Sequence, residues 1–189
     1  MQEINVILID DHAVVREGYR RLLERDPDIK VLAEGETADE GYRLVCDNKP
    51  DVVVMDITLP GMSGIEVTRR ILNKVPEQKI LIFSMHEDMV FVNRAFQAGA
   101  KGYVTKSAAP EALIEAVRQV SEGKLYLSNE MAQSIASQTI SDSGKDIDLL
   151  SGREFEIFHL LVQGKTLNEI SEALHISYKT VANYQSNIR

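Results

Sequence analysis

Short, wholly apolar runs alternate with amphipathic segments of helical length over the first 122 residues or so of this chain. Runs such as residues 52–55 and 80–83 contain only aliphatic or aromatic side chains. Strands have continuous apolar sequences when helices cover both faces of a parallel sheet, because neither face is then exposed to water. The pattern predicts a doubly wound α/β domain, with five parallel strands in the order 2-1-3-4-5 and five helices.

Polar side chains that can carry chemistry stand where four of these runs end. They are, in chain order, Asp10 with Asp11, Asp56, Ser84 and Lys106. In open parallel sheets ligands bind beyond the carboxyl ends of the strands, so we expect these groups to share one cleft. Clustered carboxylates repel one another unless a cation is present, and Mg²⁺ accepts a few carboxylates together with phosphate oxygens. A carboxylate there can act as a nucleophile, while an ammonium and a hydroxyl stabilise phosphate oxygens. The cleft is therefore predicted to bind Mg²⁺ and a phosphoryl group.

Composition narrows the class of protein further. The single cysteine excludes an internal disulfide framework and fits a reducing cytoplasm. No apolar stretch approaches the ~20 residues of a membrane span, and the N-terminus lacks the pattern of a signal peptide. The formal net charge of −8 does not indicate nucleic-acid binding. We expect a cytoplasmic protein with no membrane partner and no organic cofactor.

The chain is predicted to divide into three parts. Residues 1–122 form the α/β domain, and residues 123–148 form a linker that contains a short helix and a small, polar, flexible stretch. Residues 149–189 are purely helical, with capping boxes at Ser151 and Thr166 and a third helix from Tyr178. Two short helices joined by a tight turn predict a helix-turn-helix. Its expected core residues are Phe155, Phe158, Leu161, Ile170, Leu174, Ile176 and Val181.

Both domains resemble those of one known family. The acidic pair, the segment 55–64 around Asp56, and Ser84, Tyr103 and Lys106 resemble the receiver domain of bacterial two-component response regulators. The segments 150–157 and 176–181 resemble the LuxR-type helix-turn-helix. Together they resemble the NarL/FixJ class, which implies a transcription regulator activated by phosphorylation.

The resemblance implies a role for each acidic residue. Asp56 would accept a phosphoryl group from a histidine kinase. Asp11, Asp56 and the backbone carbonyl of Thr58 would bind Mg²⁺ directly, and Asp10 would act mostly through water. Lys106 would contact a phosphate oxygen.

The resemblance also implies a switch. Ser84 would move to bond the phosphoryl oxygen, and Tyr103 would then turn inward and change the surface around the fourth helix and fifth strand. Thr58 and His86 stand two residues after Asp56 and Ser84, at positions that tune phosphoryl lifetime in the family. We expect His86 itself to be a solvated loop residue.

The third helix of the tail is expected to enter the major groove of promoter DNA. Its exposed face is predicted to carry two phosphate-contacting residues, two asparagines that can read adenine, and a serine. These are Lys179 and Thr180, Asn183 and Asn187, and Ser186. Phosphorylation would favour a homodimer on two half-sites.

Two features favour an alternative, a response regulator that acts through protein–protein interaction with little or no DNA binding. From Ser151 onward the chain has four basic and four acidic residues, so its non-specific affinity for phosphate should be modest. Ala182 stands where several relatives carry a lysine or a polar residue. The chain also stops inside the recognition helix, whereas family members continue, so we expect it to be truncated.

A third class, the aspartyl-phosphate enzymes of the haloacid dehalogenase type, fits less well. Those enzymes use a second aspartate two residues after the nucleophile as their acid/base group. Thr58 occupies that position here. We therefore expect no enzymatic turnover, and at most slow self-dephosphorylation.

Overall fold

The structure is a computed structural model that describes residues 3–128 and 150–188, with the backbone alone for residues 187 and 188. The predicted linker stretch 141–146 and, apart from Ser128, the predicted helix over residues 128–137 lie outside the described residues. Within the described ranges, no helix is long and apolar enough to cross a membrane.

A parallel sheet of six strands forms the centre of the α/β domain. Its spatial order is β2-β1-β3-β4-β5-β6. The strands are β1 (Ile4–Ile9), β2 (Ile29–Gly35), β3 (Val52–Met55), β4 (Ile80–Ser84), β5 (Gly102–Thr105) and β6 (Tyr126–Leu127). The predicted doubly wound fold and the order 2-1-3-4-5 are confirmed. The sixth strand was not predicted, because two residues at the sheet edge, assigned to the linker, are too few for a readable pattern.

Five helices cover the two faces of this sheet. They are α1 (Ala13–Leu23), α2 (Ala38–Asn48), α3 (Gly64–Lys74), α4 (Met89–Gln97) and α5 (Pro110–Ser121). The alternating residues of β1 separate the two cores, since Ile7 and Ile9 pack with α2, α3 and α4, whereas Val6 and Leu8 pack with α1 and α5. Because all six strands run parallel, their carboxyl ends lie at the same edge of the sheet.

Three short helices make up the C-terminal domain: α6 (Gly152–Val162), α7 (Leu167–Ala173) and α8 (Tyr178–Ile188). Both predicted capping boxes form, at the starts of α6 and α7. The fully buried core contains Ile157, Ile170, Leu174 and Val181. His175, in the turn between α7 and α8, has a left-handed backbone with φ of 50°, a conformation in which histidine, asparagine and aspartate are enriched among residues other than glycine.

Two predicted core residues lie outside the core of the C-terminal domain. Phe158 is partly buried and belongs to none of the core clusters, so that prediction was wrong. Phe155 is 3% exposed, and it belongs to the core cluster on the α3–α4 face of the sheet, not to the core of its own domain. A helical apolar position carries the same sequence pattern whichever domain covers it, which explains the error. The C-terminal domain is thus docked on the α/β domain.

Candidate functional site

Buried acidic groups meet one ammonium at the carboxyl edge of the sheet. Lys106 Nζ lies 2.6 Å from Asp10 Oδ2 and 2.7 Å from Asp56 Oδ2. Asp56 is 4% exposed. The structure therefore brings together residues that are 96 and 50 positions apart in sequence, as the parallel topology predicts.

Burial and the neighbouring charges shift the pKa values of Asp56 and Lys106 in opposite directions. Burial raises the pKa of Asp56 to about 6, although the Lys106 ammonium beside it has a lowering effect. Burial alone would lower the pKa of Lys106, but the carboxylates of Asp56 and Asp10 outweigh it and the pKa is raised. At neutral pH the pair is a nucleophilic carboxylate held next to a fixed positive charge.

The acidic groups also suit a cation. Asp10, Asp11, His12 and Asp56 each offer a ligand atom, and these atoms all lie within 4.8 Å of one another. Asp11 Oδ1 is buried, and Nδ1 of the half-exposed His12 lies 2.6 Å from it. Clustered carboxylates repel one another unless a cation is present, so these residues fit a divalent ion. His12 was not predicted here, although its position directly after the acidic pair was a usable signal.

The loop after β3 packs tightly under the phosphoacceptor candidate. A Cβ atom on Gly64 would lie 1.8 Å from the carbonyl oxygen of Asp56. Only glycine permits this approach, and the Gly64 amide donates to the Ile57 carbonyl at 2.7 Å. The amide of Thr58 donates to Asp56 Oδ1 at 3.3 Å, which helps to orient the carboxylate.

Ser84, the last residue of β4, and Tyr103, the second residue of β5, are fully buried on neighbouring strands. The Ser84 hydroxyl accepts a hydrogen bond from the amide of His86 at 3.3 Å. The Tyr103 hydroxyl donates to the His86 carbonyl at 2.8 Å, and burial raises the pKa of Tyr103. Tyr103 therefore already occupies the inward position that we expected it to reach only after phosphorylation.

His86 is not a solvated loop residue, and that expectation was wrong. Its ring stacks on Phe91, with centroids 3.9 Å apart, and its Nε2 lies 3.4 Å from the Thr58 hydroxyl. Burial, with a further contribution from His159, lowers the pKa of His86 to about 4. His86 is thus neutral at physiological pH and connects the cleft to α4.

An aromatic cluster joins the two domains beside α4. The Phe155 ring meets Phe91 edge to face, with centroids 5.0 Å apart, and the Arg94 guanidinium lies 4.2 Å from the Phe155 centroid. Across the same contact, His159 Nε2 lies 2.8 Å from Asp88 Oδ2. Aromatic pairs and buried apolar area are the groups that usually dominate the free energy of an interface.

Backbone groups at the start of α6 take part in the interface as well. Arg94 donates to the carbonyls of Leu150 and Ser151 at 2.9 and 3.4 Å. The Gly152 amide donates to Glu66 Oε1 at 3.3 Å. These bonds satisfy polar groups that docking removes from water.

A buried ion pair of α6 contacts the loop after β3. Arg153 and Glu156 are 2.6 Å apart with side chains 2% and 1% exposed, and Arg153 also donates to the carbonyl of Leu59. Burial raises the pKa of Glu156 to about 7; Arg153 and a hydrogen bond with Ser63 lower it, and the negative charges of Glu66 and, to a smaller extent, Asp56 raise it. The interface thus contains a buried carboxylate whose pKa responds to negative charge in the neighbouring domain.

We predict that acid stabilises the docked arrangement through Glu156. Its pKa rises from 4.5 to about 7 on docking and folding, so the native state holds a proton that the unfolded state releases. The free energy of unfolding should therefore fall, by on the order of 2–3 kcal/mol, as pH rises through that window. Urea unfolding at about pH 5 and about pH 8 measures the change. In Glu156→Gln the pH slope should be shallower, and an unchanged slope would assign the effect to other groups.

The predicted DNA-contacting residues lie on or near one face of α8. Lys179, Asn183 and Ser186 are exposed. Thr180 is partly buried, and its hydroxyl lies 2.8 Å from that of Ser177, the residue that caps α8. The side chain of Asn187 lies outside the described residues.

A doubly wound sheet whose buried strand-end carboxylates share a lysine, followed by a helix-turn-helix, defines a two-domain signalling protein. Residues 6–118 match the family described as the response regulator receiver domain, and residues 148–189 match the bacterial regulatory proteins of the luxR family. The chain belongs to the response regulators with a LuxR-type DNA-binding domain.

Relatives support this assignment over nearly the whole chain. The response regulator UvrY of Escherichia coli (strain K12) is 38% identical over 96% of this chain and 84% of its own length. The transcriptional regulatory protein DegU of Brevibacillus brevis is 36% identical over 98% of this chain and 86% of its own length. A crystal structure of a LuxR-family response regulator from Aurantimonas sp. SI85-9A1 is similar with a TM-score of 0.72 and 47% identity, covering 74% of this chain and 100% of that chain. This protein is thus a transcription regulator of a two-component system.

Proposed function

We propose that Asp56 accepts a phosphoryl group from the phosphohistidine of a histidine kinase. A carboxylate oxygen would form the new bond to phosphorus while the phosphorus–nitrogen bond breaks and the imidazole leaves. The single observation that carries this proposal is the buried Asp56 carboxylate at the end of β3, 2.7 Å from the Lys106 ammonium. Lys106 would stabilise negative charge on the phosphoryl oxygens.

Mg²⁺ is the cation that this site would hold. Asp11, Asp56 and the backbone carbonyl of Thr58 would bind it directly, and Asp10 would act through water. The support is the set of ligand atoms from Asp10, Asp11, His12 and Asp56 that lie within 4.8 Å of one another. When bound, Mg²⁺ neutralises charge on phosphoryl oxygens.

Ser84 and Tyr103 would respond to phosphorylation of Asp56. We propose that the Ser84 hydroxyl leaves the amide of His86 to donate to a phosphoryl oxygen, and that the inward Tyr103 favours this arrangement. Thr58 offers no acid/base group for turnover on an external substrate. Slow self-dephosphorylation is the only hydrolysis that we propose.

Phosphorylation would act on the docked interface. Converting a carboxylate to an acyl phosphate adds about one negative charge at neutral pH. Glu156 lies buried within electrostatic reach of Asp56, so the added charge would raise the free energy of the docked state. We propose that the C-terminal domain is then released to bind promoter DNA as a homodimer through Lys179, Thr180, Asn183, Ser186 and Asn187.

The proposed units are the receiver domain (1–122), the linker (123–148) and the DNA-binding domain (149–189). A DNA target and a cytosolic phosphodonor would place the protein in the cytoplasm. The alternative, a regulator that acts by protein–protein interaction, rests on the equal numbers of basic and acidic residues from Ser151 onward.

Selection of genomic DNA fragments tests the proposal. We expect the chain treated with a small phosphodonor and Mg²⁺ to enrich fragments with two half-sites, and the enrichment to fall as salt rises. Asp56→Asn should show no response to the phosphodonor, and Asn183→Ala should lose sequence preference. Absence of binding at low salt, with or without the phosphodonor, would favour the alternative.

A further inference from the structure

One arginine of α1 reaches the backbone of the acidic pair. Arg16 is buried, with 7% of the residue exposed, and its Nη1 donates to the carbonyl oxygen of Asp10 at 2.5 Å. The other two guanidinium nitrogens donate to carboxylates, Nε to Glu34 Oε2 at 3.0 Å and Nη2 to Glu36 Oε1 at 2.7 Å. One planar group therefore joins α1 to the residue after β1, to β2 and to the residue after β2.

An ion pair between α1 and β2 does not by itself require this burial. Arg20, one turn further along α1, donates to Glu34 at 2.8 Å from a side chain that is 43% exposed. Taking a guanidinium out of water is costly unless its charge and its donors are matched. Arg16 differs from Arg20 in its bond to the Asp10 carbonyl, which lies beyond the last residue of β1. That bond is the feature that an ion pair with β2 leaves unexplained.

The Asp10 carbonyl controls the placement of the next residue. The peptide that joins Asp10 to Asp11 is planar, so a fixed carbonyl also fixes the amide nitrogen and the Cα atom of Asp11. The Asp10 side chain is held separately, since Oδ1 accepts from the His12 amide at 2.9 Å and Oδ2 from Lys106 at 2.6 Å. Arg16 therefore acts on the acidic pair at the backbone that leads into Asp11, where Lys106 does not.

We propose that Arg16 is a positioning residue that orients Asp10 and Asp11 for cation binding through the Asp10 carbonyl. This inference rests on the proposed role of the acidic pair in holding Mg²⁺ for phosphorylation. Arg16 acts through the backbone and not on the phosphoryl group, because its hydrogen bonds go to a main-chain carbonyl and to two glutamates. Glu34 and Glu36 offset its buried charge and hold the guanidinium in place.

Calorimetric titration of the full, metal-free chain with Mg²⁺ tests the proposal, because positioning and net charge predict opposite results. Replacing Arg16 by glutamine removes a positive charge near the acidic pair, which by charge alone would tighten Mg²⁺ binding. We expect about tenfold weaker binding instead, which is a usual cost of losing a group that orients a metal ligand.

Arg20→Gln is the matched control on the same helix. It makes the same change in charge and removes a bond to the same Glu34, but it leaves the Asp10 carbonyl bonded to Arg16. Its Mg²⁺ affinity should therefore match that of the wild type. Binding in Arg16→Gln that is as tight as in Arg20→Gln, or tighter, would overturn the positioning role.

Arg16→Lys covers the case in which Arg16→Gln does not fold. Lysine keeps the positive charge beside the two glutamates, but its single ammonium lacks the planar fork of arginine. We expect this variant to keep the far-UV circular dichroism of the wild type and still to bind Mg²⁺ about tenfold more weakly. Wild-type affinity in Arg16→Lys would show that the charge, and not the bond to the Asp10 carbonyl, is what the site needs.

Hydrogen exchange of the metal-free chain separates this proposal from the proposed phosphorylation. The His12 amide, which donates to Asp10 Oδ1, should exchange faster in Arg16→Gln than in the wild type or in Arg20→Gln. Unchanged exchange and wild-type Mg²⁺ affinity in Arg16→Gln would refute the positioning role and leave phosphorylation of Asp56 intact. Faster exchange and weaker Mg²⁺ binding, found with a wild type that forms no phosphoryl adduct, would uphold the positioning role and refute phosphorylation alone.

Discussion

Replacing Asp56 by asparagine is expected to abolish the phosphoryl adduct that the wild type forms with a small phosphodonor and Mg²⁺. The amide of asparagine is not a nucleophile toward phosphorus, and it also removes one of the two carboxylates that contact Lys106. Intact mass measurement should show one added phosphoryl group in the wild type and none in the variant. The effect is all or none because the adduct is covalent.

The control for this experiment lies at the other end of the same strand. Asp51 precedes β3, and its carboxylate accepts a hydrogen bond from the Asn5 amide at 2.8 Å. Asp51→Asn should therefore form the adduct as the wild type does. An adduct that persists in Asp56→Asn would move the phosphoacceptor to Asp10 or Asp11 and refute the assignment.

Truncation of Phe155 to alanine is expected to separate the two domains. The ring is almost fully buried against Phe91 and Arg94, and removing a buried phenylalanine costs about 3–5 kcal/mol. That loss falls on the interface, since Phe155 is not part of the core formed by Ile157, Ile170, Leu174 and Val181. Small-angle scattering should show a more extended protein, and DNA binding should no longer require the phosphodonor.

Phe158→Ala is the matched control on the same helix. Phe158 is partly buried and belongs to none of the buried core clusters, so its truncation should leave the domains docked. Far-UV circular dichroism should show that α6, α7 and α8 persist in both variants. If Phe155→Ala remained as compact as the wild type, the docked interface would not be the element that phosphorylation controls.

The cleft could be predicted from the sequence because the strands that carry its residues have recognisable local patterns. Apolar runs mark buried strands, and the ends of parallel strands share one edge, so Asp10, Asp56 and Lys106 had to be near one another. The starts of α6 and α7 were equally readable, since a capping box uses residues only three positions apart. The roles of these residues in phosphoryl transfer stay predictions that the experiments above address.

The environment of His86 could not be predicted from local sequence patterns. A histidine two residues after a strand is a loop residue by every local criterion, yet its ring stacks on Phe91 and lies next to the Thr58 hydroxyl. Those neighbours come from α4 and from the loop after β3, and their approach depends on how the loops pack. Burial, and the low pKa that follows from it, cannot be seen before that packing is known.

By itself, the sequence determined the parallel sheet, the order of its first five strands, the cleft at their ends and the helix-turn-helix. Tertiary structure alone decided that Phe155 packs on the α/β domain, that Arg153 and Glu156 are buried beside the loop after β3, and that His175 comes within 3.7 Å of Asp11. The reason is physical. Periodicity and capping report how a segment divides its side chains between water and protein. They do not report which protein surface covers the apolar side, and at a domain interface that surface determines the chemistry.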